Sequence, residues 1–211
     1  MTYVLFEWLE KSRPEVFATL CAPAAADIVE RVETELGVSL PPALVRLHRE
    51  HDGQLQGRMA TCVFEAYRWL PLDESLAERR MWIDVLAGVH REFPESSPWT
   101  PTWLPFARDD LGNVWVVDVA TGCVFPFEHD EGASAPLAAS FEAFLADYVR
   151  SFETGERVLD PKLGAMTRAA LQHPVRTEPV VDPKRRRRTI AFLALYGLIF
   201  VLFIVWLESR R

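Results

Sequence analysis

Nineteen consecutive residues near the C-terminus, Thr189 to Leu207 (TIAFLALYGLIFVLFIVWL), carry no charge and no proline. As a helix this run spans about 28 Å, close to the roughly 30 Å hydrocarbon core of a bilayer. A helix buried in a soluble core is seldom apolar on every face for so long. Leu, Ile, Phe and Val dominate the run, and each favours insertion by roughly 0.3–0.6 kcal/mol. The sequence therefore predicts a single transmembrane helix, marked along its length by Thr189, Leu193, Gly197, Val201 and, where an indole suits the interface, Trp206.

The flanks orient it. Lys184, Arg185, Arg186, Arg187 and Arg188 stand directly before the span, and only Glu208, Ser209, Arg210 and Arg211 follow it. Basic residues beside a span stay on the cytoplasmic side. The expectation is a single-pass membrane protein with its soluble part cytoplasmic and a short tip, 208–211, outside. The basic run also matches a nucleic-acid patch or a localisation signal. Next to an apolar span, a collar touching anionic headgroups fits it better. The N-terminus, MTYVLFEWLEKSRPE, lacks a signal peptide's basic start and small-residue cleavage site, so insertion tail-first after synthesis is expected.

Charge is divided unevenly along the 211 residues. From Lys184 onward there are 7 basic residues and 1 acid, leaving 16 basic against 29 acidic residues before it, a net of −13. Such a domain repels nucleic acid and anionic surfaces and suits a basic partner, although net charge serves solubility as well. Cys21, Cys62 and Cys123 lie far apart without a CxxC pair. That fits a reducing compartment better than a disulfide framework or zinc site, with each cysteine a small apolar residue.

Local patterns predict an α+β fold, an antiparallel sheet flanked by helices. Asp27 reads as an N-cap with Glu30 as its box partner, leading a helix whose stripe is Ile28, Val32 and Leu36 and which Gly37 ends. Pro41-Pro42 opens a second helix through Leu44 and Leu47, closed at Asp52-Gly53. Thr61 to Leu70 reads as a strand, and Asp73 to Leu86 as a helix. Four prolines make Phe93 to Pro105 largely loop. Trp103 to Ala107 leads into a strand. Val114 to Val119 is a strand buried on both faces, and Cys123 to Phe127 is a third, which Pro126 places at an edge or bulge. Ser140 caps a last helix with buried face Phe141, Phe144, Leu145, Tyr148 and Phe152. The expected organisation is an extension over 1–26, a domain over 27–153, a Pro- and charge-rich tether with the collar over 154–188, and the span over 189–207. Lys162 to His173 reads as a short helix inside the tether.

Catalytic signatures are sparse. There is no HExxH, GxSxG, P-loop or GxGxxG. His48 and His51, with Asp52, lack a third metal ligand at a suitable spacing. Glu128, His129, Asp130 and Glu131 form a dense polar loop, with Asp109-Asp110 expected near it across the meander. Oxygen ligands there suit a divalent cation, yet a solvated acidic loop that meets a partner is the plainer reading. Trp99, Trp103 and Trp115 read as one aromatic group of the core. No catalytic residue, metal or cofactor is assigned. An enzyme built on Asp109, Asp118 and His129 stands as the least favoured reading.

Ile28 with Glu33, Leu36-Gly37, Leu40-Pro41, Leu47 and Asp52-Gly53 resembles the opening of the SMI1/KNR4 family, also called the SUKH superfamily. Trp103-Leu104-Pro105-Phe106-Ala107, followed by Asp109, Gly112, Asp118, Gly122 and Val124, resembles its central strand pair. Ser140-Phe141 with Phe144-Leu145 resembles its closing helix. Two features depart from the pattern: Asp52-Gly53, where many members carry Asn-Gly, and the Pro-rich stretch from Pro94 to Pro101. The resemblance implies a protein-binding module. Many bacterial members resemble immunity proteins that neutralise toxins, often nucleases, whereas fungal members regulate cell-wall synthesis and signalling. Together with the acidic charge it implies a protein partner, such as a basic toxin domain.

Overall fold

The computed structural model describes residues 2–55, 61–159 and 166–168. The collar at 184–188 and the apolar run at 189–207 lie outside the described residues. Among those that are described, no helix is long and apolar enough to cross a membrane.

The helices form where apolar residues recur on one face. They are α1 (Thr2–Ser12), α2 (Pro14–Phe17), α3 (Ala26–Leu36), α4 (Pro42–Glu50), α5 (Leu72–Glu92) and α6 (Phe141–Glu153). In α3 the buried stripe is Ile28, Val29, Val32 and Leu36, and Gly37 ends the helix at φ 70° with its N–H on the Glu33 carbonyl. The helix begins two residues earlier than expected. Ala25 is its N-cap, without a side-chain bond, and Asp27 lies in the first turn, where a carboxylate complements the helix dipole instead of capping. Ser140 does cap α6, its hydroxyl accepting the Ala143 N–H at 3.1 Å. The stretch before Asp27 contributes to the core through Leu5, Phe6, Leu9 and Val16.

Strands β1 (Arg68–Trp69), β2 (Trp103–Arg108), β3 (Val114–Asp118), β4 (Val124–Glu128) and β5 (Gly132–Ala133) form a five-stranded antiparallel meander in sequence order. The central strand β3 is buried on both faces. Trp115 and Val117 join the main core with α1, α3, α4 and α6. Val114 and Val116 face a second layer made of Trp82, Trp99, Phe125 and Phe127. A bulge between Pro105 and Ala107 admits one extra residue in β2, so Phe106 and Ala107 both reach the main core. Helix α5 serves both layers, with Leu72 and Leu76 in one and Trp82 in the other.

Three further expectations are corrected. Thr61 to Leu70 is not one strand, since only Arg68–Trp69 pairs. Phe64 and Tyr67 bond to each other across a reversal at Glu65, whose φ is 55°. The reversal sends Phe64 into the main core and leaves Tyr67 stacked on Trp115 at 4.7 Å. The tryptophans also do not form one group. Trp99 and Trp103 meet at 5.4 Å in the second layer, while Trp115 lies on the opposite face against Phe144. Downstream, β6 (Arg157–Leu159) pairs with β7 (Met166–Arg168), so the part of the expected tether helix that is described is strand.

Candidate functional surface

Asp52, expected as a motif residue at the end of α4, sits beneath the N-terminus of α5. Its Oδ1 accepts the Leu72 N–H at 3.0 Å and meets His48 Nδ1 at 2.8 Å. Because that oxygen accepts, His48 Nδ1 carries the proton. Nε2 is then free to accept the Trp69 indole N–H at 3.3 Å. His48 is fully buried. Burial lowers its pKa and outweighs the opposing pull of Asp52, which keeps the ring neutral. His51, by contrast, turns to the Cys21 carbonyl at 2.9 Å. The two histidines thus brace separate contacts and share no ligand position.

The other motif carboxylates hold turns. Asp109 Oδ1 accepts the N–H groups of Leu111 and Asn113 at 2.9 and 2.8 Å, and its Oδ2 accepts the Asn113 amide at 2.8 Å. Asp118 accepts the Thr102 hydroxyl at 2.7 Å, the Ala120 N–H at 3.1 Å and the Thr121 hydroxyl at 3.0 Å. These are side-chain-closed turns. Gly112 and Gly122 take φ values of 92° and 81° in them.

The β2–β3 and β4–β5 turns emerge at the same end of the sheet, as register requires. They are tied together because Asn113 Oδ1 accepts the His129 N–H at 3.2 Å and lies 2.9 Å from His129 Nδ1. Asp109-Asp110 therefore do lie beside the loop Glu128, His129, Asp130 and Glu131, as expected from sequence. Asp110, His129, Asp130 and Glu131 are exposed and Glu128 is half-buried. Leu111 projects at the tip, 76% exposed. Half-buried Tyr67 lies behind this rim. Burial and then the charges of Asp109, Glu128 and Glu65 push its phenol up to about 12. The end of the sheet is an acidic rim around one exposed leucine.

Among the described residues, no three His, Cys, Asp or Glu side chains lie close enough to share a metal ion. Cys62 is buried, and that burial pushes its thiol up to about 11, the opposite of an activated nucleophile. Cys21 and Cys123 are half-buried free thiols. Sequence reading missed Gln54, which is buried with every hydrogen-bonding group engaged. Its Oε1 accepts the N–H groups of Val63 and Trp69, and its Nε2 donates to the Thr61 carbonyl and Thr19 hydroxyl. The available signal was position, a polar residue directly after Asp52-Gly53.

A layered α+β scaffold, whose motif polar groups brace its own turns, is a framework that presents a surface. The chain belongs to the SMI1/KNR4 family (SUKH-1), whose profile matches residues 23–147. It is 26% identical over 179 residues to the cell wall biosynthesis/cell cycle regulator smi1 of Schizosaccharomyces pombe, covering 72% of this chain and 36% of that protein. It is 20% identical over 196 residues to the cell wall assembly regulator SMI1 of Saccharomyces cerevisiae, covering 70% and 39%. Similarity to a glucan synthesis regulatory protein of Neurospora crassa is 22% over 201 residues, covering 72% and 38%. The chain thus spans less than two fifths of the length of these curated relatives.

Proposed function

We propose that this chain is a membrane-tethered regulatory module that binds a protein partner through the acidic end of its sheet. The observation that carries this reading is a division of labour among its carboxylates. Asp52, Asp109 and Asp118 are engaged by the chain's own turns, whereas Asp110 and Asp130 face solvent beside the exposed Leu111. A partner that presents Lys and Arg around an apolar side chain complements that rim, and opposite charge accelerates its capture. The names of the fungal relatives support regulation at the cell envelope over catalysis. The run 189–207, with its basic collar, would hold the module at the membrane with the acidic domain on the cytoplasmic side.

A second reading keeps the same surface and changes the partner. The net charge of −13 before Lys184 favours a strongly basic target, as a nuclease toxin would be, and the chain would then act as an immunity protein.

Crosslinking in intact membranes, followed by partner identification, tests both. The comparison is wild type against Asp110→Asn/Asp130→Asn. An envelope or signalling enzyme recovered with wild type and lost with the variant supports regulation. A co-encoded basic toxin whose lethality the wild type suppresses supports immunity. Identical partners with both proteins would remove the acidic rim from either account.

A further inference from the structure

Arg157 lies beyond the residues matched by the family profile, past the C-terminus of α6 and a turn at Gly155 with φ 70°. Arginine is rarely buried without a partner, yet this one is only 8% exposed. Its Nε donates to Glu65 Oε1 at 2.8 Å, and a terminal nitrogen donates to the Ser151 hydroxyl at 2.8 Å. The guanidinium carbon stands 4.6 Å from the centroid of the Tyr148 ring, within cation–π range. The first residue of β6 is thus fastened at three points.

Two of those points lead to the same loop. The Tyr148 hydroxyl donates to the Val63 carbonyl at 2.7 Å and accepts the Glu65 N–H at 2.9 Å. Glu65 is therefore held by its backbone through Tyr148 and by its carboxylate through Arg157. Among the described residues it alone adopts a positive φ without being glycine. Such a conformation persists only where the surroundings over-determine it, and here the surroundings are Tyr148 and Arg157. Withdrawing Arg157 would leave a largely buried carboxylate without its cation and remove one of the two restraints on Glu65.

We propose that Arg157 is a latch that couples the C-terminal segment to the 61–67 loop, so that seating or releasing either one seats or releases the other. The loop ends at Tyr67, behind the acidic rim, so the latch joins the chain leading toward residue 189 to the neighbourhood of the exposed surface. Coupling of this kind is reciprocal. Freeing Glu65 loosens β6 by the same factor as freeing Arg157 loosens the loop.

Hydrogen–deuterium exchange on the full chain reads this directly. Arg157→Gln and Glu65→Gln should each raise exchange about tenfold or more in both 61–67 and 157–159, the factor expected from losing a charge-assisted bond. Strands β2 to β4 should exchange as in wild type. Arg157→Lys keeps the charge without the paired donors and should give a smaller rise in the same two segments, which preserves the test if the glutamine variants fold poorly. The swapped pair Glu65→Arg/Arg157→Glu should recover part of the protection. A rise confined to the mutated segment would reduce Arg157 to a local brace and overturn the coupling. An equal rise throughout the sheet would also overturn it, since the pair would then simply support the fold.

Discussion

Replacing Gly53 by alanine should damage this domain far more than the same change at Gly37, although both glycines take nearly the same backbone conformation. Their φ values are 76° and 70°, and the left-handed conformation costs any side-chain-bearing residue about 1–2 kcal/mol. Around Gly37 a new Cβ meets nothing within 4 Å. At Gly53 it would stand 2.3 Å from the Pro71 nitrogen and 2.6 Å from the Leu70 carbonyl carbon. Those are backbone atoms, so no side chain can swing aside. Gly53 is also held from the other direction, because its carbonyl accepts the Cys21 N–H at 3.0 Å and the neighbouring Gln54 N–H donates to the Trp69 carbonyl at 2.9 Å. Relief of the clash must separate the strand at Trp69–Leu70 from the Asp52–Gln54 turn, straining bonds that contribute roughly 1 kcal/mol each, on top of an overpacking cost of about 1–3 kcal/mol. The expected loss is about 3–5 kcal/mol for Gly53→Ala against about 1–2 kcal/mol for Gly37→Ala. Urea unfolding followed by tryptophan fluorescence measures the difference, which at an m-value near 2 kcal/mol/M separates the two midpoints by about 1 M or more. Equal shifts in the two variants would refute the close approach of Gly53 to Pro71 as the reason for glycine there.

Three other outcomes are expected. Tyr148→Phe keeps the ring beneath Arg157 but leaves the Val63 carbonyl and Glu65 N–H without their partner, and should lower stability by roughly 2 kcal/mol in the same assay. His48 has a folded-state pKa depressed by burial. Its contribution is therefore complete above the unfolded-state pKa of about 6.5 and is lost as pH falls through that value toward the folded one; urea midpoints from pH 7.5 to 5.5 should fall less steeply for His48→Gln than for wild type. Leu193→Arg/Val201→Arg, at about 2.5–3.5 kcal/mol unfavourable per arginine near the centre of a span, should move the chain from floating membranes to the soluble fraction, and undiminished flotation would reject 189–207 as the anchor.

What could be read from the sequence, and what could not, follows from the range of the forces involved. The β3 run VWVVD announces burial on both faces because every residue there prefers an extended, buried site and nothing local competes. Ser140 and the Phe141–Phe144–Tyr148 stripe are legible for a similar reason, since a cap and a helical face are set within a few residues. Thr61 to Leu70 misleads because β-branched and aromatic side chains report a demand for burial, not the path of the backbone. The reversal at Glu65 is held by Tyr148, 83 residues away, and no local pattern records that. The turn aspartates hold the sharper lesson. Asp109 and Asp118, which suggest chemistry when set beside His129, each stand two to four residues before most of the groups they bind, and that spacing identifies a self-closed turn; only the Thr102 hydroxyl reaches Asp118 from farther along the chain. The residues with the strongest motif character are thus the ones the scaffold uses on itself. Asp110, Leu111, Asp130 and Glu131 have no individual signature. They become a surface only when the meander brings two turns to one end of the sheet and the Asn113–His129 contact joins them, so a family motif that specifies the scaffold does not itself describe that surface.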